Sequence, residues 1–490
     1  MRNPTRAGLA LTLVALAGAA LFAQQEDPTA AATRQILIEI AEHSEQMQNL
    51  EYLSDRIGPR LTGSPALQRA NEWTAERLRD YGLENARLES WKIAHSWKRP
   101  WVRARVVAPV EQRLIAEAAG WSPNTPGAVQ GHLAYVKVEK KEDLEAYRGK
   151  LKGVIVMLGE PSPRQRVEEK PILPRPPRPE FDFAARQRLG RERDEFFKEE
   201  GVVAVLRDSN KGYGLFTMST AGVNYAPGAL PTLFLSPEGY DLLWRLRKDD
   251  QRVELELNVS DGGFSDAEVE VYNTVAEIRG SEKPDEVVIL GAHIDSWDLG
   301  TGATDNGTGV TVVLEAARAL QKLNLKPKRT IRFVLFSGEE QGLHGSRAYV
   351  EAHKSEMEKI SAVLIHDSGT GRVETISLNG NVQAHDAVWA LLAPFRQMIG
   401  LEDFNMRSFG GSDHASFNRA GVPAFFCSQE TSVYRQTHHS QADTFDKVVR
   451  DDLVNGAQVM AVFAYSVAQS DEMLPRKPAP PEPPAQPSQP

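Results

Sequence analysis

From about residue 272 onward the chain alternates between two rhythms. Continuous apolar runs of strand length come first, and apolar positions at helical spacing follow them. The runs at 286–292, 330–337, 360–366 and 422–428, with a shorter one at 374–378, predict strands. Segments 307–323, 342–353, 384–399 and 451–468 predict helices; in the first, Val310, Val313, Leu314, Ala317 and Leu320 share one face. Strands that are apolar throughout, and that alternate with helices, are covered on both sides. The expected fold is therefore α/β, a mostly parallel mixed sheet with helices on both faces.

The first half reads differently. Ile36, Ile38, Ile40, Met47, Leu50 and Leu53 carry helical spacing, 57–65 is a Gly/Pro loop, and 64–81 predicts a second helix. One or two strands follow at 84–105. Between 106 and 262 short β-like runs (132–138, 153–158, 202–206, 233–235, 253–259) are separated by turns, which predicts an inserted, mostly-β domain. Within it, 161–193 is rich in Pro, Arg and Glu and reads as an exposed excursion. His132, alone in this region, reads as structural.

The two ends stand apart. Arg2 and Arg6 precede an apolar run at 8–22 that is short for a membrane span, the pattern of a secretory leader over 1–23. No later segment resembles a membrane helix, so a secreted or periplasmic protein without stable membrane insertion is expected. Residues 473–490 form a Pro-rich tail expected to be disordered. The remaining chain divides into 24–105 and 263–472, the two parts of one α/β domain, flanking the insert at 106–262.

Composition narrows the chemistry. The 490 residues are 41% hydrophobic and 25% charged with a net charge of −9, and no long basic run occurs, so nucleic acid is not an expected partner. The single cysteine, Cys427, excludes an intrachain disulfide and any Cys-based zinc finger. A metal here has to be held by His and carboxylate, which suits a catalytic site better than a structural one.

Those ligand types collect at strand ends. The first strand leads into LGAHIDSWDLGTGATDNGTG (290–309), with His293, Asp295 and Asp305. IRFVLFSGEEQG ends in Glu339 and Glu340. AVLIHDSG ends in Asp367, and the last strand is followed by TSVYRQTHHSQADT with His438 and His439. Any one of these acids could be only a helix cap or turn former; their recurrence on consecutive strands is the signal. Two His and three carboxylates can hold two zinc ions, one carboxylate bridging, the ions roughly 3.5–4 Å apart. One Glu of the adjacent pair can be a ligand and the other a general base. Asp295 can orient the His293 imidazole or simply close its loop by a hydrogen bond.

H-x-D, T-D-N-G, G-E-E-Q-G-L-x-G-S, the strand-end Asp and H-H-S-x-x-D-T together resemble the co-catalytic zinc exopeptidases of the aminopeptidase type. The fuller stretches LSDRIGPRLTGSPALQRANEW, NTVAEIRGS, LKPKRTIRFVLFSGEEQG, AGVPAFF and DEMLPR are similar to their plasma glutamate carboxypeptidase (carboxypeptidase Q) branch. The resemblance implies two Zn²⁺ held by His293, Asp305, Glu340, Asp367 and His439, with Asp305 bridging. It implies Glu339 as general base, Asp295 in support of His293, and His439 rather than His438 as ligand. It further implies that Tyr434 polarises the substrate carbonyl, that the insert is a protease-associated domain, that the substrates are peptides or dipeptides, and that a homodimer forms. Asn306 departs from the second Asp common in relatives. Ser412, Asp413 and His414 are expected beside the substrate pocket, not as ligands. The rival readings are a single-zinc glutaminyl cyclase and a catalytically silent binding ectodomain.

Overall fold

The computed structural model describes residues 28–163, 183–221, 225, 227–247 and 252–478. The expected leader lies outside the described residues, as do 164–182 of the excursion and 479–490 of the tail.

Eight strands form the main sheet: β1 (Glu84–Ile93), β2 (Val269–Ile278), β3 (Lys283–His293), β4 (Arg329–Phe336), β5 (Ile360–Ile365), β6 (Val373–Ser377), β7 (Asp403–Asn405) and β8 (Ala424–Gln429). Their order is β1-β2-β4-β3-β5-β8-β6-β7. Strands β4, β3, β5 and β8 run parallel at the centre, while β2 and β6 turn the flanks antiparallel. The mixed α/β sheet expected from the sequence is present.

Alternate residues of the central strands serve opposite faces. Val288 and Leu290 of β3 join Phe333 and Leu364 in a core with the helices α1 (Pro28–His43), α2 (Pro65–Asp80), α3 (Thr308–Lys322) and α6 (Arg450–Gln469). Val287 and Ile289 point the other way, against Tyr349 of α4 (His344–Ala352) and Phe417 of α5 (His414–Arg419). Being covered twice, the strands need no polar face, which is why they read as unbroken apolar runs. Helix α2 starts where the sequence places it, with Ser64 Oγ accepting from the Leu67 N–H and Pro65 in the first turn. No helix among the described residues is long and apolar enough to cross a membrane.

A second eight-stranded sheet holds the insert. Its middle strands, Val129–Val136, Val154–Leu158, Ala204–Asp208 and Thr232–Leu235, are parallel neighbours. Parallel pairing needs crossovers, and helices Phe183–Glu200 and Pro237–Arg247 lie along the chain between and after them. The insert thus combines its strands with helices. Strand Trp101–Ala108, which straddles the expected boundary between 105 and 106, pairs into this sheet through Glu254–Ser260. Residues 183–193, expected to be an exposed excursion, belong to a helix whose Phe196 and Phe197 are buried under the sheet. The start of the expected tail is also anchored. Leu474 is buried, and the Arg476 guanidinium donates to the carbonyls of Met357, Glu358, Ile360 and Gly421 at 2.9–3.0 Å.

One polar cluster ties α4 to β1. His353, just after α4, lies 2.9 Å from Glu89 Oε2 and 3.0 Å from Glu356 Oε1. The hydrogen bond to Glu89 raises the His353 pKa above its ordinary value, against the effect of partial burial, and Glu356 adds to the rise. A raised folded pKa means that protonated His353 stabilises the fold below the unfolded value of about 6.5. That contribution is lost as the pH climbs through the higher folded value. His353→Gln is therefore expected to lower the thermal midpoint more at pH 5.5 than at pH 8.5; an equal loss at both would show that the charge contributes nothing.

Candidate metal centre

The sheet delivers its polar groups to one edge. In the parallel core, β3, β4 and β5 all end at the same side, and the loops after them converge, as open α/β sheets do at the carboxyl ends of their strands. His293 is the last residue of β3 and is buried. Its Nδ1–H donates to the Asp295 backbone carbonyl at 3.0 Å. That bond leaves Nε2 as the free ligand nitrogen. Nε2 lies 3.1 Å from Asp367 Oδ1 and 3.3 Å from Asp305 Oδ1. The other oxygen of Asp305 faces a second group: Oδ2 is 3.5 Å from His439 Nε2, which is 2.8 Å from Glu340 Oε2.

The described residues therefore hold two three-donor clusters that could bind a metal ion, His293–Asp305–Asp367 and Asp305–His438–His439, with Asp305 common to both. Asp305 Oδ2 and Glu340 Oε1 are buried without a hydrogen-bond partner. Buried carboxylates are costly unless paired or bound to metal, so the donor set fits divalent cations. Its chemistry, imidazoles and carboxylates without sulfur, suits zinc.

The protonation tendencies follow from crowding. Burial works against charge on His293, but the carboxylates of Asp367, Asp295 and Asp305 outweigh it and raise its pKa well above the ordinary value. Glu340 is pushed well up by burial and by Asp305. Glu339, its neighbour, is pushed well up by burial and by Asp367, Glu340 and Asp413, although His293 opposes this. Asp305 goes the other way: burial raises it, yet His293, His438 and His439 together bring it below the usual carboxylate range. A cation held between the clusters would act in the same direction as those histidines.

The glutamates are fixed through their backbone. Gly338, at φ +73°, precedes them, and a Cβ there would come within 2.6 Å of the Trp91 ring. The N–H groups of Glu339 and Glu340 then donate to the two oxygens of Asp295 at 3.2 and 3.3 Å. Thr62 Oγ1 donates to the same carboxylate at 2.9 Å. The Asp295 carboxylate is 3.6 Å from His293 Nδ1, farther than its own carbonyl. Both roles open to Asp295 in the sequence are compatible with this geometry: the carboxylate closes the loop and lies beside His293, and the carbonyl accepts from the imidazole.

The profile of peptidase family M28 matches residues 273–464. Carboxypeptidase Q of Bos taurus is 31% identical over 436 residues, covering 88% of this chain and 86% of that protein. The chain belongs to peptidase family M28. The structure of a peptidase M28 precursor from Shewanella amazonensis SB2B superposes with a TM-score of 0.77 at 29% identity, over 93% of this chain and 99% of that one. An aminopeptidase from Aneurinibacillus sp. strain AM-1 shares the fold, with a TM-score of 0.65 at 21% identity over 91% and 98% of the two chains. M28 membership bears out the metallo-exopeptidase class expected from the motifs.

Some residues that build this M28 site were not picked out in the sequence. Arg60, in the Gly/Pro loop, is fully buried. It donates to the carbonyls of Ile294, Thr301 and Gly302 at 2.7–2.9 Å, and to Gly58 at 3.2 Å. It pins both ends of the loop between His293 and Asp305. Burial lowers its pKa to about 10, against the pull of Asp443, Asp295 and Asp305. Asp443 holds the same loop from the other side. It accepts from Thr304 N–H at 2.5 Å, Thr304 Oγ1 at 2.8 Å and Asp305 N–H at 3.2 Å. Burial and the nearby Asp305 push its pKa up to about 7. Asn306 is structural: its Nδ2 donates to the His366 carbonyl and its Oδ1 accepts from Gly309 N–H, each at 2.9 Å. A carboxylate could not make the first bond, which accounts for an amide at this position. Asp413 and His414 are buried, and Asp413 has no hydrogen-bond partner for either oxygen.

Proposed function

We propose that this chain is an exported dizinc exopeptidase that hydrolyses peptides or dipeptides near a free terminus. The carrying observation is the split of Asp305, one oxygen toward His293 and the other toward His439. That is the geometry of a carboxylate shared by two ions. His293 and Asp367 would hold one ion, and Glu340 and His439 the other. When bound, the zinc ions supply Lewis-acid polarisation of the scissile carbonyl and lower the pKa of water at the site.

The protein groups around them have separate tasks. Glu339 takes the proton from the attacking water and returns it to the leaving amine. Its carboxylate sits beside Glu340 but is not needed as a ligand. The Tyr434 ring packs against Gly369, where a Cβ would come within 2.4 Å, and its phenol is kept protonated by burial and by Asp305 and Asp367. A neutral phenol so placed can donate a hydrogen bond to the carbonyl oxygen of a substrate. Two ligand clusters rather than one favour this reading over a single-zinc cyclase. The Arg-flanked apolar start of the sequence supports export, and the position of the insert supports its likeness to a protease-associated domain.

The test uses metal-free full chain. Zinc titration is expected to saturate near two ions per chain, and dipeptide hydrolysis is expected to appear with zinc and vanish with chelator. Saturation at one ion, or hydrolysis indifferent to chelator, would remove the dizinc mechanism.

A further inference from the structure

The loop carrying His438 and His439 is held by the insert as well as by the catalytic sheet. The short helix Tyr434–Thr437 ends immediately before His438, and a helix end leaves carbonyl oxygens without intrahelical donors. Lys211, from the insert, fills that need. Its Nζ donates to the carbonyls of Arg435 at 2.9 Å, Gln436 at 3.1 Å and His438 at 2.8 Å. An ammonium has three donors, and here all three are used. A cation also suits the negative end of the helix dipole.

The same segment of the insert continues the grip. Met218 N–H donates to the His439 carbonyl at 2.9 Å. The Gln441 side chain pairs with the backbone of 214–216, accepting from Phe216 N–H and donating to the Gly214 carbonyl, each at 2.9 Å. His439 has φ +57°. A non-glycine residue in that region costs on the order of 1–3 kcal/mol and persists only when its surroundings fix it. The bonds to the carbonyls of His438 and His439, in the peptides on either side of the His439 Cα, supply that fixation. The other metal-bearing loop is gripped as well. Arg99 Nε donates to Asp298 Oδ2 at 2.9 Å, and Gly120 lies so close to Trp297 that a Cβ would come within 2.7 Å of its ring. The Trp297 ring in turn packs on His439, centroids 5.8 Å apart.

We propose that segment 211–218 of the insert is a clamp that sets His439 for metal binding, with Lys211 as its positioning residue. This rests on the reading of His439 as a zinc ligand. The insert then completes the metal centre and is not an appended module.

The test compares full-length variants, with zinc alone as the probe and a competing chelator to read affinity. Lys211→Met is expected to weaken the weaker-held zinc about 10–100-fold, the range carried by groups that orient ligands. It should lower kcat on a dipeptide at fixed zinc while leaving KM near the wild-type value. Lys211→Arg, which keeps a cation with several donors, is expected to recover part of the affinity. Lys141→Met, at a surface pair with Glu192 elsewhere in the insert, should match wild type. Gln441→Ala keeps the test open if Lys211→Met does not fold, and it should weaken zinc in the same direction. Wild-type zinc affinity and kcat in both Lys211→Met and Gln441→Ala would overturn the clamp while leaving the dizinc reading intact. Wild-type chain that takes up no zinc would overturn both.

Discussion

Glu339→Gln is expected to bind zinc as the parent chain does and to lose about 10²–10⁴-fold in kcat, the range that a positioned general base contributes. The substitution keeps the size of the side chain and one acceptor oxygen. Nothing that fixes the loop is disturbed, because Glu339 is held through its backbone N–H to Asp295. What disappears is the ability to accept a proton. The buried, carboxylate-rich setting raises the affinity of Glu339 for a proton well above that of a free glutamate, and a base is most effective when its pKa approaches the working pH. Cations held by the neighbouring ligands would oppose that rise and favour the ionised form. Measuring zinc content and kcat on the same preparation separates the two roles of the adjacent glutamates: Glu340→Gln should lose metal, and Glu339→Gln only turnover. A Glu339→Gln enzyme with most of its kcat would take this residue out of the mechanism.

How far the sequence carried the site follows from the distance over which each contact acts. His293, Glu339, Glu340 and Asp367 were legible because each follows an apolar run that can only be a strand of a doubly covered sheet, and the ends of parallel neighbours meet. Asp305 was legible from its glycine-rich loop. Arg60 was not. A lone arginine in a Gly/Pro loop reads as solvated, and its partners are backbone carbonyls more than 230 residues away. Asp443 stood in a recognised motif, yet its work on Thr304 and Asp305 depends on two distant loops folding together. The Asp295 carboxylate lies 3.6 Å from His293 Nδ1; what the sequence does not reveal is that its carbonyl accepts from the imidazole and its carboxylate from the 339–340 amides.

The helix at 183–200 is hard to read from the sequence for a related reason. Residues 183–200 carry a charged side chain at ten of 18 positions, so their few apolar side chains give a weak period. Phe196 and Phe197 nevertheless bury against the second sheet and fix the helix. Tertiary packing of a few large side chains overrides a polar average. Likewise, Lys211 looks like any surface lysine until the carbonyls of 435–438 are brought against it.

Asp305→Asn has the second large effect. The amide keeps the shape of the carboxylate but offers an acceptor oxygen to one cluster and an NH₂ donor to the other. A donor cannot ligate a cation, so one of the two ions loses a ligand and both lose a shared negative charge. Zinc uptake is expected to fall from about two ions to one or fewer, and dipeptide hydrolysis to drop by more than the roughly 10–100-fold carried by groups that only orient ligands. The fold should survive. The Asp305 N–H still reaches Asp443, Arg60 still holds the carbonyls of Thr301 and Gly302, and far-UV circular dichroism should match the parent. Two ions bound at parental affinity would show that Asp305 does not bridge. A parent that binds one ion and an Asn variant that binds none would instead return the site to single-zinc chemistry, because a lone ion drawing on either cluster still needs an Asp305 oxygen.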